Sequence, residues 1–501
     1  MSAVLACDLG GTSVRAALVD LRGAVLAERA VAAPRPTEGA GRSEIDATSW
    51  WDAFVEASGR LADAAPGAFA AVEGIAICGV TRTQVLLDGD GALLGPAMTW
   101  NDTRAGEAAA RLRGRLGDHP EAERVNAFHP LARLAWLGEA EPAVAASLAC
   151  VLEPKDYLNH RLTGLRASDP ISTARLLAAA EPAPGGSALA RAGFADAILP
   201  AMCEPQAVVG PVRAGLPAPL DRLAGIPVFC CANDTWTAVL GLGALRSGHA
   251  YNISGTTEVL GLVGAHPASA EGLLTVDWRG LWQLGGPSQN GADTVAWLLD
   301  LVGGGRQDVA ASVDALLAGE RRPRPVLFLP YLQGERVPYW DPDLRGAFLG
   351  LDRRHGPTDL AYAVLEGVAF LNRVVLERAE AALGEPAREI RFGGGAAANP
   401  VWAQVKADVL GRPIVVGAGR EPGILGAAIV AWTGLGRHTS LAEAQERLVA
   451  VDRRFEPDAR RRAGYDALYG LYRRAETALA PLSGALAGFD GGLAGRSLDV
   501  P

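Results

Sequence analysis

The strongest constraint on this chain is a hairpin written twice. From Ala6 to Val19, and again from Tyr251 to Val263, an apolar run meets a Gly-Thr turn (Gly11-Thr12-Ser13, then Gly255-Thr256-Thr257) and a second apolar run follows. That pattern predicts a β-hairpin whose turn exposes backbone N–H groups and hydroxyls. Glycine there lets the backbone approach an anion, and Thr or Ser adds a donor. The copies lie about half a chain apart, with Asp8 in register with Asn252. Two such hairpins predict two homologous domains facing one another across a nucleotide. At that register the first copy alone carries an acidic residue, Asp8, so one side is expected to carry a metal and the other to clamp phosphates.

With 501 residues the chain exceeds what one core serves, and two domains of roughly 250 residues are the expected division. Hydrophobic residues make up 49% and charged residues 21%, enough to bury substantial cores. A net charge of −9 without a long basic run argues against nucleic acid as a partner. No stretch of about 18 uninterrupted apolar residues occurs, and no charged segment leads into a long apolar one, so neither a membrane span nor a signal peptide is expected. The six cysteines lack C-x-x-C spacing and sit mostly in apolar runs, which fits buried thiols in a reducing cytoplasm. Lysine occurs at Lys155 and Lys406 alone; every other basic residue of the Lys and Arg total is arginine.

Strand and helix patterns alternate along the chain, which places it in the α/β class. Asp46 to Asp63 reads as an amphipathic helix, Val72 to Cys78 as a buried strand, and Val85-Leu86-Leu87 as a strand entering a turn. A mostly helical region follows, interrupted near Pro130, Pro142, Pro154 and Pro170. The strand Ile226 to Cys231 leads through Ala232-Asn233 to Asp234 and a helix from Thr235 to Leu245. Beyond the second hairpin, Val326 to Leu329 and Glu389 to Phe392 are strands and Asp359 to Leu383 is a long helix. The expected division is 1–246, 247–481 and a poorly ordered tail, 482–501, rich in Gly, Ala and Ser.

Several longer segments resemble the FGGY carbohydrate kinases, part of the sugar kinase, actin and Hsp70 superfamily of paired ribonuclease-H-like domains. Gly346-Ala347-Phe348-Leu349-Gly350-Leu351, followed by Asp359-Leu360-Ala361-Tyr362-Ala363-Val364-Leu365-Glu366, is similar to the family's C-terminal signature. Gly334-Glu335-Arg336-Val337-Pro338 is similar to its Gly-Glu-Arg-x-Pro loop. The N-terminal signature around Phe128 to Leu137 is less faithful, with Arg133 where the family usually has Lys. The resemblance runs from about Val4 to Gly436. It implies two ribonuclease-H-like domains flanking a nucleotide cleft, with the first domain holding the sugar and the catalytic base and the second the adenosine.

Phosphoryl transfer to a hydroxyl needs a held triphosphate, a metal, a base and an acceptor pocket. Gly11, Thr12 and Ser13 and Gly255, Thr256 and Thr257 supply phosphate donors. By resemblance Arg15 reaches toward the transferring phosphate, with an exposed strand arginine as the structural alternative. Asp8, ending an apolar strand, suits Mg²⁺, which prefers carboxylates and retained water. Asp234 is the expected general base, although an aspartate at a helix start also serves as an N-cap. The run Gly393-Gly394-Gly395-Ala396 and Asn399 resembles the family's adenosine site, with Gly426-Ala427-Ala428 as a small-residue helix start packed beside it.

The acceptor pocket is where the chain departs from the family. Xylulokinases carry Gly-Gln-Met-His after the strand that here ends at Cys78, and glycerol kinases carry Asn-Gln-Arg-Glu. This chain has Gly79-Val80-Thr81-Arg82-Thr83-Gln84. Trp100-Asn101-Asp102-Thr103-Arg104 does match the family's Trp-x-Asp-x-Arg segment, so Thr81, Arg82, Trp100, Asp102, Phe128 and Thr235 are the expected acceptor contacts. Arg82 could fork onto two hydroxyls or a carboxylate, or face water. An ATP- and Mg²⁺-dependent cytoplasmic kinase for a pentulose such as xylulose is the first reading, with a polyol or an acidic sugar as alternatives and a homodimer as one admissible assembly. An actin- or Hsp70-like ATPase module is the competing class. It would lack Asp234 in this context, the Trp-x-Asp-x-Arg segment and the C-terminal signature.

Overall fold

The computed structural model describes residues 2–303 and 309–489. The chain divides into two compact units: Met1–Gly243 with Glu421–Val449, and Ala244–Arg420 with Ala450–Pro501.

In the first unit the hairpin is β1 (Ala3–Leu9) against β2 (Ser13–Asp20), and β3 (Val25–Ala32) continues the antiparallel meander. β4 (Val72–Gly79) lies parallel to β1, and β6 (Pro227–Phe229) lies parallel to β4. With the short edge strand β5 (Val208–Pro211), the sheet order is β5-β6-β4-β1-β2-β3. The helix Ala47–Ala64 covers this sheet with Trp50, Trp51, Phe54 and Leu61; Asp46 caps it by accepting from the Thr48 N–H.

The second unit repeats the plan. β7 (His249–Ser254), β8 (Glu258–Gly264) and β10 (Trp282–Ser288) form the meander, with β9 (Leu274–Asp277) on its edge. β11 (Glu389–Gly393) runs parallel to β7, β12 (Ile414–Gly417) parallel to β11, and β13 (Val451–Phe455) closes the far edge. Both sheets therefore contain the same five-strand core, an antiparallel meander extended by two parallel strands, as the duplicated hairpin requires. The long helix Pro357–Leu383 is buried along most of its length and ends at Gly384, whose φ of 73° supplies the left-handed cap.

Three results differ from the sequence expectation. Pro130, Pro142 and Pro154 do not interrupt helices; each is the first residue of one, where its missing N–H costs nothing and its fixed φ helps. The division at 246 is not a single cut, because Glu421–Val449 belongs to the first unit. Within that return, Pro422–Gly434 crosses the helix Asp234–Gly241 with backbones in contact. A Cβ on Gly241 would lie 1.9 Å from the Pro422 carbonyl, and one on Gly426 1.9 Å from the Thr237 carbonyl. Gly426, expected beside the adenosine loop, packs on the helix that starts at Asp234. Finally, the helix Ala459–Ala487 extends through Leu482, where a poorly ordered tail was expected; the rest of that tail, from 490, lies outside the described residues.

Candidate active site

In the first unit Asp8 lies near the end of β1, one strand from the chain segment that carries Asp234. β4 is parallel to β1, and at its end Gly79 forms a backbone bridge with Asn233. That bridge places the Thr81-Arg82 loop beside Asp234. Asn233, not Asp234, caps the following helix by accepting from the Trp236 N–H at 3.0 Å. The capping role that competed with catalysis is thus filled by the neighbour. One oxygen of Asp234, Oδ1, accepts from the Thr235 N–H at 2.6 Å and from the Thr235 hydroxyl at 3.2 Å. Thr235, expected to touch the acceptor, orients this carboxylate. Burial raises the Asp234 carboxyl above its usual range, with the Thr235 bonds and Arg82 pulling it back.

Asp8 makes no ion pair among the described residues, and the charge of Arg15 offsets its rise only in part. Its Oδ1 is buried and accepts no hydrogen bond among the described residues. Burial first, then the charge of Asp234, pushes it up to about 7. A carboxylate in that condition fits a hard divalent cation, which would relieve both causes. Close approach is built in, since a Cβ on Gly423 would sit 2.4 Å from Asp8 Oδ2. A second candidate cluster, Asp156, Asp169 and Cys230, does not fit a metal. Lys155 Nζ already fills it, 2.5 Å from Asp156, 2.8 Å from Asp169 and 3.2 Å from the Cys230 carbonyl. Burial would lower Lys155, but Asp156 and Asp169 hold it well above its ordinary value. With Asn159 also donating to the Cys230 carbonyl at 3.2 Å, this cluster fixes the backbone just ahead of Asp234.

The first hairpin closes with the Gly10 N–H donating to the Ser13 carbonyl at 3.0 Å. Gly11 and Thr12 are exposed at its tip, and a Cβ on Gly11 would meet nothing within 4 Å. Nothing in the fold demands glycine there, which leaves the open space to a ligand. Arg15 departs from expectation. Its guanidinium is 2.5 Å from Glu28 and 3.1 Å from Glu421, so it is paired within its own unit.

The acceptor loops are held by residues that the motifs did not flag. Arg82 has φ 58°, left-handed backbone that a non-glycine residue adopts only when held. The holders are Glu153, which accepts from the N–H groups of Arg82 and Thr83 at 3.1 Å each, and Arg133, which donates to the Arg82 carbonyl at 2.6 Å. Arg133 also donates to the Thr99 carbonyl, so one fully buried guanidinium ties the Arg82 loop to the Trp100 segment. The departure from Lys at this signature position thereby has a geometric use. Thr81 donates its hydroxyl to the Ser172 carbonyl at 3.4 Å. Trp100 and Phe128 each keep 49% of their surface exposed, free to cover a ligand. Asp102 is the clear correction. It has no exposed surface, and it accepts from the Ser43 N–H at 2.8 Å and from Arg104 at 2.5–3.1 Å. It braces the loop and leaves no oxygen for a sugar.

In the second unit, Ser254 pairs with Glu258 and the Gly255 N–H donates to the Thr257 carbonyl at 2.9 Å. This turn is one residue shorter than the first, with Gly255 and Thr256 exposed. Beneath it, Glu258 is buried with Lys406 Nζ 2.9 Å away, and Asn372 donates to the same carboxylate at 2.7 Å. Gly394 has φ 84° and a Cβ there would lie 2.3 Å from the Ser254 carbonyl, so the glycine loop and the hairpin touch through backbone alone. Gly395 is open, whereas Ala396 is buried. Asn399 caps the helix Pro400–Leu410 by accepting from Trp402 at 2.9 Å and donates to Asp314 at 2.8 Å. Its side chain is spent on the fold.

These features define a two-unit nucleotide-handling fold with a carboxylate pair in the first unit. The chain matches the FGGY family of carbohydrate kinases, N-terminal domain, over residues 3–241 and the C-terminal domain over 250–435, and it belongs to that family. It is 30% identical to the xylulose kinase of Escherichia coli over 499 residues, 95% of this chain and 99% of the relative. It is 31% identical to that of Klebsiella pneumoniae over 498 residues, 95% and 99% of the two chains. The crystal structure of xylulose kinase from Rhodospirillum rubrum superposes with a TM-score of 0.83 at 28% identity, covering 96% of this chain and 99% of that one.

Proposed function

We propose that this carbohydrate kinase transfers the γ-phosphoryl group of ATP to a hydroxyl of a small sugar, with a pentulose such as xylulose as the first skeleton to test. The observation that carries this reading is Asp234. Its helix is capped by Asn233, its Oδ1 is held by Thr235, and its other oxygen takes no hydrogen bond within the described protein. That oxygen accepts the proton of the acceptor hydroxyl. The hydroxyl oxygen forms the new O–P bond, the bond between the γ-phosphorus and its bridging oxygen breaks, and ADP leaves. The exposed turns Gly11-Thr12 and Gly255-Thr256 offer N–H and hydroxyl donors to phosphate oxygens. The Gly394-Gly395 loop offers flat backbone to the adenosine. Asp8 would hold Mg²⁺, which supplies neutralisation of phosphate charge.

The relatives' names support the pentulose, and the absence of a helix long and apolar enough to cross a membrane among the described residues is compatible with a cytoplasmic enzyme. A coupled ADP-release screen across ketopentoses, polyols and sugar acids tests the proposal. Sugar-dependent ADP release is expected, and ATP turnover that no sugar stimulates would reject it in favour of a sugar-independent ATPase.

A further inference from the structure

Two guanidinium groups lie on neighbouring loops of the first unit, and one of them, Arg82, is near enough to Asp234 for their charges to act on each other. Arg82 uses its N–H and carbonyl to fix its loop, but its guanidinium makes no hydrogen bond or ion pair among the described residues. The same holds for the guanidinium of Arg175, in the first turn of the helix Ala174–Ala180. The two loops are stitched together by the Thr81 hydroxyl on the Ser172 carbonyl, and the Gly79–Asn233 bridge puts the Arg82 loop next to the candidate base. The nearby carboxylates other than Asp234 are already engaged. Glu153 accepts from two backbone N–H groups, Glu121 pairs with Arg124 at 2.8 Å, and Asp102 is enclosed by Arg104 and the Ser43 N–H. Arg133 adds a further positive charge on its two carbonyls.

Around the pair lie the buried Ser172 hydroxyl, which has no hydrogen-bond partner, and His129 Nε2, which makes no hydrogen bond and lies 3.6 Å from a Glu121 carboxylate oxygen; the two residues are 8% and 2% exposed. Burial first and the Arg82 charge next bring Arg175 down to about 10, as expected of two close cations in a partly enclosed site. Burial, then Arg175, Arg133 and Arg82, hold His129 at about 3, hence neutral. An uncharged pentulose offers these guanidinium groups hydroxyls but no opposite charge. A planar carboxylate accepts from guanidinium forks in the geometry they present.

We infer that the acceptor of this kinase is a small sugar acid, its carboxylate held between Arg82 and Arg175 while a hydroxyl on the same carbon chain faces Asp234. This rests on the kinase reading above and deepens it, adding a charge to the skeleton that the relatives' names suggest. Of the two side chains, Arg175 lies in no family motif.

The test compares matched acceptors with ATP and Mg²⁺ by ADP release: D-xylonate against xylitol and D-xylulose, and D-gluconate and 2-keto-D-gluconate against sorbitol and D-fructose. At least one acid is expected to exceed its neutral counterparts by tenfold or more in kcat/KM. Arg175→Met is expected to cut that acid-to-neutral ratio at least tenfold, and Arg175→Lys to restore part of it. Direct titration of the same acids into the protein with a nonhydrolysable ATP analogue reads binding independently of turnover, and thermal melts confirm that both variants fold. A neutral sugar that outperforms every acid overturns the inference and leaves the kinase standing, as does an Arg175→Met variant that weakens acid and neutral acceptors equally. If no acceptor of either kind releases ADP, the kinase reading falls, and acid binding that is absent or unaffected by Arg175→Met then rejects the anion site as well.

Discussion

Lys406 Nζ lies 2.9 Å and 3.1 Å from the two carboxylate oxygens of Glu258, and both side chains are buried. The pair sits under the second hairpin turn, where Asn372 completes it by donating to Glu258 and accepting from Lys406 at 2.5 Å. Burial lowers the Lys406 ammonium from its ordinary value, and Glu258 opposes that shift. Removing one partner would strand the other as an uncompensated buried charge.

Lys406→Met is therefore expected to destabilise the protein by about 3–5 kcal/mol, read as a fall in denaturant midpoint. Adding Glu258→Gln should recover much of the loss, because the stranded charge is then gone. A double variant as unstable as the single one would mean that packing, not charge, sets the cost.

Asp234→Asn keeps the Thr235 contacts but cannot accept a proton. Sugar-dependent turnover is expected to drop by about 10²–10⁴-fold, while the affinity for an ATP analogue persists. Near-normal turnover would assign the base elsewhere.

Asp8 gives the metal-free protein a pH signature. Its folded pKa of about 7 stands above the ordinary 3.8, so the folded state retains a proton that the unfolded state has lost. The stability that this group contributes is fully present below the unfolded value and is lost as the pH rises toward 7, at up to about 1.4 kcal/mol per pH unit. Asp8→Asn should melt higher than the parent at pH 8 without divalent ions, with little difference at pH 4. Mg²⁺ with ADP should narrow the gap at pH 8. Parallel melting curves for parent and variant across this range would remove the argument.

Arg133→Lys restores the usual family residue and tests the brace. A single ammonium cannot match the fork that reaches the Thr99 and Arg82 carbonyls. Losing one charged hydrogen bond, about 1.5–3 kcal/mol, should raise KM for the acceptor by roughly tenfold or more while KM for ATP stays put. Equal changes in both would point to general loosening of the first unit.

Much of this architecture was legible in the order of residues. The duplicated turn at Gly11-Thr12 and Gly255-Thr256, the strand Val72 to Cys78 and the helix Asp359 to Leu383 follow from local periodicity, which the tertiary structure does not override. The position of Asp234, at a helix start after a buried strand, was legible as well. Asp102 and Asn399 were not, since a polar side chain in a motif looks the same whether it faces a ligand or is saturated by its own backbone. The return of Glu421–Val449 to the first unit was hidden for another reason. Gly241 and Gly426 record the helix crossing, but nothing in their spacing says which helices meet. Arg175 escaped notice as a lone arginine at a helix start, and the Thr81–Ser172 contact that makes it informative joins residues 91 positions apart.

Because Lys155 and Lys406 are the chain's two lysines and both are buried against carboxylates, the native surface presents no ε-amine. An amine-reactive reagent can reach Lys155 only when the first unit opens and Lys406 only when the second does. The chain thus carries one chemical clock per unit, and mass-resolved acylation over time would report which half of the protein unfolds first.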